Sequence, residues 1–118
     1  MIKIVTYGSK YGHPQCNYKF DVSYLPNPNK MQANKDVLHT DSIKLTEEVM
    51  NHIRSHPTYK QLMLGLVTIV MAIKDSNPMT IAIGCTGGNH RSKTVAFDLA
   101  LNLGKKGIKC SVEHTIQR

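Results

Sequence analysis

Residues 80–92 read Thr80-Ile81-Ala82-Ile83-Gly84-Cys85-Thr86-Gly87-Gly88-Asn89-His90-Arg91-Ser92. A short apolar run enters a glycine-rich turn, and beyond it Val95, Leu99 and Leu103, with Ala96 and Ala100 beside them, recur at helical spacing. Strand, turn and helix in this order form the unit of a helix-covered α/β sheet, and such sheets usually bind ligands where the strand gives way to the helix. The composition of the turn suits an anion. Gly87 and Gly88 let backbone N–H groups face inward, and the helix start adds unpaired N–H groups and a positive dipole end. Arg91 can hold two phosphate oxygens, while Thr86 and Ser92 bring hydroxyls. The plainer alternative is a tight turn in which Arg91 bonds a carboxylate or a carbonyl.

Working outward, residues 2–7 are β-rich, and Gly8, Gly12 and Pro14 mark a turn after them. Phe20, Val22 and Tyr24 alternate with Asp21 and Ser23 as far as Leu25, which predicts a second strand halted by Pro26-Asn27-Pro28. Residues 29–40 are polar and without period, so a loop is expected. Asp41 or Ser42 would cap a helix carrying Leu45, Val49 and Ile53, with Glu47 and Glu48 at its dipole-favoured start and His56-Pro57 at its end. A second helix is predicted over 58–74. Its 62–73 segment is apolar nearly all round, so it should be covered on most sides, by the core or by another copy of the chain. Gly104 or Gly107 would close the helix after the turn. Ile108, Cys110 and Val112 then alternate with polar residues, as in a strand with one buried face. These elements predict a single α/β domain over 1–118, with a mixed, mostly parallel sheet of about four strands covered by about three helices.

The chain has 118 residues, enough for one core, and a net charge of +7. That charge is concentrated at the two ends. Residues 1–35 hold five lysines against Asp21, and residues 91–118 hold six basic groups against Asp98 and Glu113. If the ends adjoin, the two segments form one face suited to a polyanion, in which Lys93, Lys105, Lys106 and Lys109 extend the anion loop as RNA-binding candidates. Scattered lysines for solubility are the simpler explanation. No run of about 20 apolar residues and no leader pattern is present, so a cytoplasmic protein with no membrane partner is expected. Cys16, Cys85 and Cys110 have no paired spacing, which suggests reduced thiols. His13 with Cys16, and His52 with His56, lack further ligands at recognisable spacing, so neither a metal nor another cofactor is expected. Tyr7, Tyr18 and Tyr24 lie in or beside predicted strands and should be packed.

The loop is not a Walker A motif, because His90 and Arg91 stand where glycine and lysine belong. It does fit the cysteine-phosphatase pattern C-x-x-G-x-x-R-[ST], with Cys85 as nucleophile and Arg91 as phosphate clamp. The histidine that commonly precedes that cysteine is Gly84 here. No general acid is placed by sequence unless the fold brings Asp21 or Asp41 close. Otherwise Cys85 is a small, inert residue at a strand end.

IGCTGGNHRS also resembles the IGCTGG-[KN]-HRS signature of the C-terminal domain of the RNase adapter protein RapZ. Residues 7–14, YGSKYGHP, resemble that family's FGFKHGxP stretch, and residues 20–28, FDVSYLPNP, resemble FDVRFLPNP. The resemblance covers most of the chain. It implies a non-enzymatic, self-associating module that senses a sugar phosphate, glucosamine-6-phosphate, binds a small RNA and presents it to a ribonuclease. By position it implies a sugar-phosphate site on Thr86, Gly87, Gly88, Asn89, His90 and Arg91, supported by Lys10, His13, Asp21 and Asn27. Two departures limit it. The family's nucleotide-binding half is absent, leaving no basis for ATP or GTP binding, and so is the basic tail that helps hold RNA.

Overall fold

The apolar run that ends at the glycine turn pairs on both sides, and this pairing organises the rest of the molecule. The computed structural model describes residues 1–28, 44–76 and 78–115. Its four strands, β1 (Ile2–Gly8), β2 (Tyr18–Asp21), β3 (Met79–Cys85) and β4 (Cys110–His114), form one sheet in the order β2-β3-β1-β4. All three pairings are parallel, in keeping with the mostly parallel sheet expected. Parallel strands need cover on both faces. Helix α3 (Arg91–Lys105) lies on β1, β3 and β4, while α1 (Glu47–Arg54) and α2 (Tyr59–Ile73) pack against α3. Ile4, Ile81 and Ile83 meet Ile53, Val70, Val95 and Leu99 in the core between these layers. Strand alternation turns Val5, Tyr7 and Ala82 to the other face, where they are buried as well. There the Tyr7 ring packs 5.1 Å from that of His13, in the segment that joins β1 to β2.

Several expectations need correction. β2 ends at Asp21 instead of continuing to Leu25. The Asp21 carboxylate accepts the Ser23 N–H at 2.8 Å, and Leu25 donates to the Val22 carbonyl at 3.1 Å, so the chain turns out of the sheet before the prolines. The predicted 29–40 loop and the caps Asp41 and Ser42 lie outside the described residues. Helix α1 is instead capped by Thr46, whose Oγ1 accepts the Val49 N–H at 3.2 Å, and this leaves Leu45 ahead of the helix. Helix α2 buries one face, through Tyr59, Met63, Leu66, Val67 and Val70, but Leu64 is 68% exposed, so the helix is not covered all round. β4 is an edge strand with β1 on one side and no strand on the other among the described residues. Val112 is consequently exposed where a buried face was expected. Tyr7 is packed, whereas Tyr18 and Tyr24 are exposed.

The three helices share a polar lock that local sequence patterns do not announce. Arg54 donates through Nε and Nη2 to both Asp98 carboxylate oxygens at 2.8 Å, and the Tyr59 hydroxyl donates to the same carboxylate at 2.6 Å. The hydrogen-bonded carboxylate holds the Arg54 guanidinium well above its ordinary pKa. Burial, then Asp98, pushes the Tyr59 phenol far up.

Candidate functional site

β3 delivers Cys85 to the edge of the core, and the chain must then reverse into α3 within five residues. Gly88 makes this possible with a φ of +77°, in the left-handed region that side chains resist. Its N–H points back to the Cys85 Sγ at 3.2 Å, which closes the loop on itself. Helix α3 starts at Arg91 with His90 at the N-cap, and the His90 side chain makes no capping hydrogen bond. The result is a cavity of about 140 Å³ lined by Lys10, Asn27, Pro28, Cys85, Thr86, Gly87, Gly88, Asn89, His90 and Arg91.

Three separate chain segments meet here. The Lys10 N–H donates to the Thr86 carbonyl at 3.2 Å and fastens the turn after β1 to the loop. The Val22 N–H donates to the Gly84 carbonyl at 2.7 Å and brings in the segment after β2. Arg91 completes the junction. Its side chain is buried, and Nη1 donates to the carbonyls of Ser23 and, at 3.5 Å, Leu25. Of the two partners weighed for this guanidinium, carbonyls are therefore the ones present. Nε and Nη2 make no hydrogen bond among the described residues, and Arg91 is one of the residues that line the cavity.

The sequence candidates divide by location. Thr86, Gly87, Gly88, Asn89, His90 and Arg91 line the cavity together with Lys10 and Asn27. Ser92 is fully buried beneath the loop, with its Oγ 3.4 Å from the Cys85 Sγ. His13 lies outside this cavity, against Tyr7 and 3.2 Å from the Lys19 Nζ, in a second concavity with Gly8, Tyr11, Gly12 and Pro14. Asp21 does not line the cavity either. Its hydrogen bonds to Ser23 hold its carboxyl below the ordinary value, with the charges of Arg91 and His13 adding to the effect. Lys105 closes α3 some 21 Å from Arg91 at 1.5 Å per residue, and Lys106 and Lys109 follow the helix. Pro28 in the wall, and the Ser23 and Leu25 carbonyls behind Arg91, went unnoticed in the sequence. The FDVSYLPNP stretch was the available signal.

Gly84 is explained by packing. It pairs with Tyr7 across the sheet, and a Cβ at Gly84 would sit 2.1 Å from the Tyr7 Cζ. No histidine of the phosphatase pattern fits there. Among the described residues no group of three His, Cys, Asp or Glu side chains is placed to hold a metal, and no helix is long and apolar enough to cross a membrane.

The loop and the two segments docked on it are the parts that carry the family motifs, and a family model of the RapZ C-terminal domain matches residues 1–117. The chain belongs to the RapZ C-terminal domain family. At family level its role is regulatory and related to RNA or metabolites, and the RapZ C-terminal domain is an adapter with no known catalytic activity.

Proposed function

We propose that this RapZ C-terminal-like domain is a non-enzymatic binding module that takes a sugar phosphate of the glucosamine-6-phosphate kind on the Cys85-to-Ser92 loop, and that RNA is its second, regulated partner. One observation carries the reading. The start of α3, which the His90 side chain does not cap, the left-handed Gly88 and Arg91 border one small cavity, with Lys10 as a second basic residue from another segment. Amides at a helix start and a guanidinium whose Nη1 is already fixed are preorganised for an oxyanion. Nε and Nη2 of Arg91 would meet the phosphate, and Asn27 and Asn89 would meet the hydroxyls of the carrier. RNA would use the same cavity for one phosphate and Lys93, Lys105, Lys106 and Lys109 for others, since only a polymer spans the length of α3. As an adapter the domain would act in the cytoplasm with a ribonuclease partner, and self-association would use the exposed side of α2 around Leu64.

A thermal-shift series tests this. Glucosamine-6-phosphate at about 100 times Kd should stabilise the domain by about 2.7 kcal/mol, roughly 10 °C for a chain of this length. Arg91→Ala should remove that shift, while glucosamine without phosphate gives none in either protein. An equal shift in Arg91→Ala would refute the site. RNA affinity should fall steeply between about 50 and 200 mM salt, and salt-independent binding would remove RNA from the scheme.

A second reading has one observation in its favour. The Gly88 N–H and the Ser92 hydroxyl both lie against the Cys85 Sγ, as they would around a thiolate nucleophile. Against it, no carboxyl group lines the cavity among the described residues. Turnover of p-nitrophenyl phosphate that Cys85→Ser abolishes would put catalysis in place of binding.

A further inference from the structure

Away from the anion loop, the outer side of α3 and the β4 edge of the sheet leave apolar surface uncovered among the described residues. Leu45, Met50, Phe97, Ala100 and Val112 line a groove of about 320 Å³ with Lys93 and His114 at its rim. Phe97 is 53% exposed, and so, one turn further along α3, is Leu101 at 51%. Exposed large apolar side chains gathered beside an unpaired strand edge mark an interaction surface more often than a solvated one.

The charges around the groove select its partner. Of the carboxylates on the bordering elements, Asp98 and Glu47 are taken up by Arg54, and Glu113 by Lys3 at 2.7 Å. Glu48 forms no ion pair among the described residues. Lys44, Lys93 and Lys105 likewise form none, so the balance left around the apolar floor is positive. Burial, then Lys93, lowers the pKa of His114, and its Nδ1 is engaged with the Thr6 hydroxyl at 2.6 Å. A second copy docking groove to groove would bring lysine against lysine, because a two-fold contact places the same patch on both sides. Nucleic acid would satisfy the lysines and has bases that can stack on Phe97, but it would leave Leu45, Met50, Ala100 and Val112 without a match.

We propose that the α1–α3–β4 groove is a docking site for an acidic segment of another protein, with an apolar centre on Phe97 and Val112 and flanking carboxylates on Lys93 and Lys44. This surface does not depend on the anion loop. Fluorescence anisotropy with two short labelled peptides tests it, each with a leucine- and valine-rich centre, one flanked by glutamates and the other by lysines. The glutamate-flanked peptide should bind, and the lysine-flanked one should bind at least about tenfold more weakly. Phe97→Ser should weaken the first by about thirtyfold, and Lys93→Glu should reverse the preference. Phe97→Ser should keep the glucosamine-6-phosphate stabilisation of the parent, which shows that the fold is intact. Equal binding of both peptides, or of neither, would overturn the proposal. So would a dimer that Phe97→Ser dissolves, which would assign the groove to a second copy, or loss of RNA binding with peptide binding unchanged.

Discussion

Gly84→Ala is expected to destabilise the domain by about 3 kcal/mol or more, a large share of the roughly 5–15 kcal/mol available to a domain. The added methyl would meet Cζ, Cε1 and Cε2 of Tyr7 at 2.1 to 2.5 Å. The ring has little room to withdraw, because Tyr7 is buried and packed on His13. Urea unfolding of Gly84→Ala, Tyr7→Ala and the double variant measures this as a cycle. Tyr7→Ala should itself cost about 3–5 kcal/mol through the cavity it leaves, and the double variant should be no worse than Tyr7→Ala alone. A Gly84→Ala protein as stable as the parent would show that this contact is wrong. The same contact bears on function, since Tyr7 and Gly84 are paired in the β1–β3 ladder just ahead of the place where Lys10 meets Thr86.

Asp98→Ala should cost about 3 kcal/mol, toward the lower end of the range for breaking a buried ion pair. Arg54 would keep Glu47 and Asn51 as acceptors at 3.0 and 2.9 Å, but the Tyr59 hydroxyl would lose its partner in a buried setting. The urea midpoint should fall with the m-value unchanged. The lock also has a signature in pH. Because the folded-state pKa of Tyr59 is raised, the unfolded chain releases this proton first. Stability is therefore fully present below about pH 10, the unfolded value, and declines as the pH rises past it. Tyr59→Phe should flatten that decline, and an unaltered alkaline profile would contradict the assignment.

Strand β3, the glycine turn and helix α3 were legible because each is a local pattern: an apolar run, paired glycines and a helical repeat. The loop and the two segments that dock on it were legible together through their motifs. What the sequence withheld is what long-range packing decides. Alternation through Val22 and Tyr24 argued for more strand, yet the Asp21 turn and the buried Arg91 68 residues away draw the Ser23 and Leu25 carbonyls out of the sheet. Val112 alternates like a half-buried position, but strand order puts it at an edge. Asp98 counted only in the charge balance of the sequence, because Arg54 and Tyr59 approach it from other helices. His13 and Asp21 share motifs with the cavity residues but lie to one side of the cavity itself, a distinction that motif adjacency does not make.

The oxyanion site is tested most directly by amide chemical shifts. In a ¹⁵N-labelled sample titrated with glucosamine-6-phosphate, the Gly87, Gly88, Asn89 and Arg91 amides should move together and saturate with one Kd, and glucosamine alone should leave them in place. If those amides stay still while signals elsewhere shift, the loop does not hold the phosphate.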